Sequence, residues 1–402
     1  MDRRGFVDRL GSLLGATAAH ARWQSEASAD GDAAPDSTVP VARYGAVGNG
    51  VADDAAAIQA AVQAAHGLPH GGTVTFHAGN YRCLSAITLW PNVSLKGSGI
   101  YATTLSFAAA THGVVLRAPK YDTQTREISG LAIAGKYGVS RVGLDLANVS
   151  QLRLERVWVT GFTEHGIRCV DFDHVILDGV QVGGNGRGTP NVYFDTTERW
   201  QYSSNGIFAR DVWISAGNTP ASCALQIDRT AMITWLGGTI ESSGVGLKLG
   251  AVNPGHDEKS VSQATFIGVD FENCAKHYVE IGSAWQARSV AVRGAHFLSC
   301  SGSLSGSRDT PVGFIVRSCD GFEARSHGFV LSTPGVALFD FVGREQLSFE
   351  LSPATNLALG GGAYVRIDGV PCEGVSHMDR VVAGRTVFVN LAGSRPSVRR
   401  MI

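Results

Sequence analysis

Charge is scarce in this chain. Lys, Arg, Asp and Glu make up 17% of its 402 residues, and the formal net charge is −1. No basic excess is present to meet a phosphate backbone, so no nucleic-acid partner is expected. Proline is modest at 13 residues, which excludes a Pro/Gly low-complexity chain. The seven cysteines are scattered and form no CxxC pair. That removes zinc-ribbon and thioredoxin-type motifs, and the density is too low for a disulfide scaffold. Most of the thiols are expected to be small buried side chains. No apolar run reaches membrane-spanning length. What is plentiful is glycine, 50 residues without a G-X-Y period, which excludes collagen. Hydrophobic residues reach 44%, which excludes a disordered chain. Length alone allows two or three domains, or one elongated repeat. Abundant glycine among many short apolar runs points to an all-β chain with many turns.

The N-terminus reads as a targeting segment over residues 1–21. Arg3 and Arg4 form a basic start, Leu10 to Ala19 is short and mildly apolar, and Ala19-His20-Ala21 fits a small-residue cleavage site. The arginine pair followed by Gly5-Phe6-Val7 resembles a twin-arginine export signal, although Asp8 and Arg9 interrupt the apolar part. An exported protein, periplasmic or extracellular, is the expectation. Residues 22–38 are small and polar and read as a linker. Residues 39–402 are expected to form a single domain: first coils to 99, regular coils to 330, terminal coils beyond.

One clear helix runs from Asp53 to Gly67. Ile58, Ala61, Val62 and Ala65 fall on one face, Asp53 is placed to cap the first turn, and Gly67 to end the helix in the left-handed conformation. Alternating segments follow at residues 73–76, 87–89 and 93–95. A repeat then emerges. WLGGTIESS (235–243) aligns with FIGVDFENC (266–274), matching Trp235 to Phe266, Ile240 to Phe271 and Glu241 to Glu272. Residues 128–136, 154–162, 177–185, 209–217 and 292–300 fall in the same phase, and 319–327 is a weaker copy. Between copies lies a second strand pattern at 143–146, 224–227, 246–249 and 278–281. A helix-free repeat of about 23 to 32 residues with at least two strands indicates a β-helix, in which successive copies stack about 4.8 Å apart.

Residues 43–99 carry a motif set that resembles the pectate-lyase-like superfamily of rhamnogalacturonase, epimerase and tailspike proteins. The matching segments are RYGAVGNGVADDAAAIQAAVQAA, GGTVTFHAGNYR and ITLWPNVSLKGSG. Asn49 stands where that family usually has Asp, and His77 where it usually has Pro. The resemblance implies an all-β, right-handed, single-stranded parallel β-helix with a short N-terminal capping α-helix. It also implies carbohydrate polymers as substrates, a structural role for Asp53 and Asp54, and a monomer or a homotrimer. It does not fix the reaction. The polygalacturonase set of N-x-D, D-D, G-H-G and R-x-K is absent.

Alternation within the repeat assigns the outer face of one sheet. Val269 and Phe271 face inward, so Asp270 and Glu272 face out. By the same phase Trp158, Gln181, Trp213, Glu241 and His296 share that face. Aromatic faces pack on sugar rings, and carboxylates move protons. Glu241, Asp270 and Glu272 are the catalytic candidates, with Glu241 and Asp270 as the acid/base pair. Trp213, Trp158, Gln181 and His296 are the substrate-binding candidates. Glu241 beside Glu272 places like charges on neighbouring strands, which would raise the pKa of one of them. Their spacing of about 4.8 Å lies near the roughly 5–5.5 Å of retaining glycosidases. The diagonal from Glu241 to Asp270, about 7–8 Å, lies in the inverting range, so both outcomes stay open.

The leading reading is an exported glycoside hydrolase that needs no cofactor. A polysaccharide lyase would instead recruit His296, Arg293 or a bound Ca²⁺, and a uronan C5-epimerase would share its early steps. A binding or adhesion β-helix, or a phage tailspike, is the reading of another class. Asp171 and Asp173 offer two carboxylates towards Ca²⁺, but with no third ligand they read as a solvated edge and no metal site is assigned. Cys274 and Cys300 occupy equivalent positions on adjacent coils. Residues 183–188 and 301–309 read as loops.

Overall fold

The computed structural model describes the chain from residue 37 to residue 390 with interruptions, including side chains as far as residue 280 and backbone strands beyond it. Residues 1–36, where an export signal is expected, and the loops at 185–188 and 301–309 lie outside the described residues.

The strands fall into three parallel stacks, here called sheets A, B and C, visited in that order by each coil. Sheet A opens with Thr38–Pro40, Gly72–Thr75 and Val93–Lys96. Sheet B opens with Asn49–Asp53, Gly79–Cys83 and Thr103–Phe107. Sheet C opens with Ile87–Leu89 and Val114–Arg117. Later strands run through the corners: Leu144–Thr160 contributes to all three sheets. The fold is a parallel β-helix, with three strands per coil where the sequence pattern revealed two. The repeat phase is the expected one, with Trp235 paired to Phe266, Ile240 to Phe271 and Glu241 to Glu272.

Two expectations shift. In the copy at 319–327 it is Ala324, five residues on from Cys319, that pairs with Val292. Gly321 stands third in that segment, as Gly294 does in the copy before it, but it is not a corner residue: Val290 pairs with Phe322. Beyond residue 330, where no repeat was legible, strands go on pairing in parallel, as Val330 with Ala358 and Ser348 with Phe388. Antiparallel pairs occur at Tyr364–Ile367 with Val370–Cys372 and at His377–Val382 with Arg385–Asn390.

The helix, α1 (Ala55–His66), follows the first sheet B strand, where later coils have their sheet C strand. Ile58, Ala61, Val62 and Ala65 are fully buried. Gln59 pairs with the first strand of sheet C in both directions: Nε2 donates to the Thr88 carbonyl and Oε1 accepts the Thr88 N–H, each over 2.9 Å. At the helix start Asp53 does accept a first-turn N–H but Asp54 holds the N-cap position, and at the helix end the expectation needs correction. Asp54 is the N-cap residue, and its carboxylate turns upstream to accept the N–H groups of Val47 (2.7 Å) and Gly48 (3.0 Å). Asp53 accepts from Ala55 and from Leu84, which ties the helix start to the next coil. Gly67 has φ −73°, a right-handed value, because the chain runs on into a turn hydrogen-bonded through Leu68 and Gly71. Asn49 replaces the usual Asp without loss, since Oδ1 accepts the N–H groups of Val51 and Ala52.

Inward side chains form continuous columns. Aromatic rings join these columns: Phe172 meets Phe194 edge-on at 5.4 Å, and Trp235 stacks on Phe266 at 6.0 Å. Trp235 is fully buried over the small Ala209, its neighbour in register. Its indole N–H has no acceptor among the described residues. Trp235→Ala is therefore expected to cost about 3–5 kcal/mol by transfer and cavity terms, and Trp235→Phe clearly less because it forfeits no hydrogen bond. Denaturant midpoints measure both.

On the outer side of sheet C, Asp145 is 1% exposed and sits among Arg117, Arg168 (Nη1 at 2.8 Å) and His112 (Nδ1 at 3.7 Å). Burial raises its pKa, but hydrogen bonds and charge from Arg117 and Arg168 outweigh burial and hold it below the ordinary 3.8. A carboxyl depressed in the folded state stabilises above its unfolded pKa and loses that contribution as pH falls through the folded value. Asp145→Asn is expected to lower stability at neutral pH and to flatten its fall below about pH 4. Chemical denaturation at stepped pH reads both effects.

Candidate functional site

Sheet B gains its outward face from a corner that repeats coil by coil. Between sheets A and B the backbone turns on one left-handed residue: Gly130, Arg156, Gly179, Asp211, Gly237 and Gly268, with φ from 48° to 66°. The next residue points inward and the one after it outward. Two residues past the corner stand Ala132, Trp158, Gln181, Trp213, Thr239 and Asp270, paired in one row that continues to His296. Four residues past it stand Thr160, Gly183, Ser215, Glu241 and Glu272, continuing to Leu298. Val159, Val182, Ile214, Ile240 and Phe271 fill the inner side and are fully buried. The structure thus gathers every residue that the phase assigned to this face. His296 joins by backbone register alone, its side chain lying outside the described residues.

Upstream of the carboxylates the face opens into a pocket of about 440 Å³, lined by Trp158, Gln181, Asp211, Trp213, Gly238 and Thr239. Trp158, Gln181 and Trp213 were predicted to bind substrate; Asp211 and Gly238 were missed. Asp211 is the corner residue of its coil (φ 51°), a conformation Asp tolerates better than most side chains. Gly238 stands where neighbouring coils place an inward Val, and a Cβ there would come within 2.3 Å of the Val212 carbonyl oxygen. A readable signal existed for Asp211: aligned copies show Gly at most corners, so a carboxylate there departs from the repeat. Tyr101, 78% exposed, also went unnoticed; its ring meets Trp158 edge-on at 5.9 Å and extends the aromatic surface.

The carboxylates adjoin this pocket. Trp213 Nε1 donates to Glu241 Oε1 over 3.0 Å, joining an aromatic wall to a candidate acid/base group. Glu272 lies next to Glu241 in the same row and accepts from Asn273 Nδ2 at 3.2 Å. Asp270 lies on the diagonal, next to Thr239. All three are half-buried.

Other candidates resolve differently. The segment 169–174 is not a solvated edge. Asp171 is buried with φ 54°, and its oxygens accept the Thr197 N–H (2.6 Å) and hydroxyl (2.5 Å). Asp173 pairs with His174 at 2.7 Å. Carboxylates engaged in this way do not fit Ca²⁺, which takes six to eight oxygens. Cys274 is a buried thiol 3.7 Å from the Ser243 hydroxyl, while the side chain of Cys300 lies outside the described residues.

Comparison with known proteins agrees with the architecture. The profile of the family described as rhamnogalacturonase A/epimerase, pectate lyase-like, matches residues 38–276. That is more than half of the chain, and the protein belongs to this family. Mannuronan C5-epimerase AlgE1 of Azotobacter vinelandii is 36% identical over 103 residues, which cover 23% of this chain and 7% of that one. Among solved structures, PfbA, a surface adhesin of Streptococcus pneumoniae, superposes with a TM-score of 0.56 at 13% identity, covering 88% of this chain and 100% of that one. Tailspike protein 2 of Escherichia coli O157:H7 bacteriophage CAB120 gives 0.54 at 13% identity, covering 85% and 47%. These two likenesses are of fold.

Asp171→Ala removes two hydrogen bonds to Thr197 and is expected to cost about 1–3 kcal/mol. The loss should be equal with and without added Ca²⁺, as read by thermal midpoints in each condition.

Proposed function

We propose that this protein is an exported enzyme that cuts a polysaccharide by hydrolysis, with Glu241 and Asp270 as its acid/base pair and Glu272 supporting them. The observation that carries the reading is the sequence of groups along one face: an aromatic pocket, then three carboxylates on two adjacent strands. A sugar ring lies against Trp158 or Trp213, apolar face to apolar face. The next glycosidic bond then falls at the carboxylates. One of them, protonated, gives its proton to the departing glycosidic oxygen, and the other, ionised, either draws a proton from an attacking water or itself bonds to the anomeric carbon. Gln181 and Thr239 supply neutral hydrogen-bonding groups to sugar hydroxyls.

A second reading, uronan C5-epimerisation or the related elimination, draws on the likeness to mannuronan C5-epimerases. It uses a base to abstract the proton beside a uronate carboxyl, with His296 and Arg293 on the following strand as candidates. A glycan-binding surface without catalysis is the outcome if no polymer is changed.

Glu241→Gln is expected to abolish turnover, a loss of at least about 10²-fold, with circular dichroism and the unfolding midpoint nearly unchanged. Purified protein lacking residues 1–21, given a panel of neutral and acidic polysaccharides, tests the reaction. New reducing ends without ultraviolet absorbance support hydrolysis, both together mean elimination, and altered uronate stereochemistry without either means epimerisation. Full activity in Glu241→Gln overturns the assignment.

A further inference from the structure

The indole of Trp213 is held from two sides. On the strand before it, Gly183 has no side chain, and a Cβ built there would lie 2.7 Å from Cζ3 and 2.8 Å from Cη2 of the Trp213 ring. The six-membered ring therefore rests on bare backbone. On the strand after it, Nε1 donates to Glu241 over 3.0 Å. Gly183, Ser215 and Glu241 are consecutive in one outward row, and Trp213 belongs to the row beside them. The ring thus lies across three strands, seated at one end and hydrogen-bonded at the other. A side chain with two torsions, fixed at both ends, has almost no freedom left.

Glu241 faces Ser215 and Glu272 within its row, with Trp213 and Asp270 on the diagonals, and Asp211 stands farther upstream at the pocket. The charged groups among these are all acidic. An N–H donated to a carboxylate fixes the orientation of the oxygen that accepts it.

We propose that Gly183, Trp213 and Glu241 work as one unit, in which Trp213 is a positioning residue. Seated on Gly183, its ring holds the Glu241 carboxylate at one fixed place beside the pocket, oriented towards a sugar bound there. The inference rests on the reading of this face as the active groove, and it makes Gly183 a residue on which the geometry depends although it offers no functional group.

The test uses full-length protein with ¹⁵N-labelled tryptophan. The indole resonance of Trp213 is assigned by its absence from Trp213→Phe and followed from about pH 3 to about pH 8, across the carboxylate range. It is expected to shift as pH falls and its carboxylate acceptor is protonated. Glu241→Gln should abolish that shift, and Gly183→Ala should move the resonance by lifting the ring. A resonance indifferent to pH and to Glu241→Gln overturns the unit whether or not any polymer is cut. Turnover supplies the second arm. Trp213→Phe keeps a ring and removes the donor, so kcat should fall about 10- to 100-fold with KM little changed. Gly183→Ala should raise KM as well. An unchanged kcat in Trp213→Phe overturns the positioning role. An intact indole titration in a protein that changes no polysaccharide leaves the unit standing and removes the enzymatic reading instead.

Discussion

A strand that turns a corner keeps its inside and outside faces only if every corner uses the same number of residues. In this protein one left-handed residue per coil makes the turn from sheet A to sheet B, and six of them stand in register from Gly130 to Gly268. Everything on the candidate face follows from that count. The positions two and four residues on point outward in every coil, whatever side chain the sequence places there. A side chain in the left-handed region costs of order 1–2 kcal/mol unless it is Gly, Asn or Asp. Arg156 accepts that cost and Asp211 carries a smaller one, each held by the pairing of the coils above and below. Burial of the inward columns provides the compensating stability, since a slip of one residue would turn Ile240 and Phe271 to solvent and carry Glu241 and Glu272 into the core.

The same regularity decides how much was legible in the sequence. The β-helix and the composition of its outer face could be read from the alignment of residues 235–243 with 266–274, because large inward residues recur and fix the phase. Family membership came from local motifs around Asp53 and Asp54. What stayed hidden depends on relations across strands. Gly183 reads as a loop glycine until the Trp213 ring is seen lying on it. Tyr101 belongs to a turn outside the repeat and reaches Trp158 only through the stacking of coils. Asp171 looked like a solvated carboxylate because the left-handed turn that draws it onto Thr197 has no glycine to announce it. The copy at 319–327 slipped by five residues because Gly321 imitates a corner glycine while lying inside a strand, where only its partners across the sheet reveal its place.

Like charges on neighbouring strands oppose the stacking that brings them together. Glu241 and Glu272 are tolerated at a point where a tryptophan N–H and an asparagine amide each donate to one of them. On sheet C the molecule answers the same problem differently, surrounding the buried Asp145 with arginines from the coils on both sides. The first arrangement leaves the carboxylates half-exposed, held by neutral donors. The second locks a carboxylate in its ionised form. Two faces of one scaffold, built from the same kind of backbone, are thereby separated into a half-open carboxylate row and a structural clasp by the partners alone.

The pairing of Gln59 with Thr88 has a consequence for the molecule in company. A parallel stack ends in a row of unsatisfied peptide groups, an open invitation to another chain's strand. At the first strand of sheet C a single side-chain amide, with one donor and one acceptor at the spacing of a peptide bond, occupies that invitation. A carboxylate of the same length would offer two acceptors and no donor, and the end of the stack would be half open. One glutamine on a short helix is thus a guard against polymerisation as well as a piece of the fold.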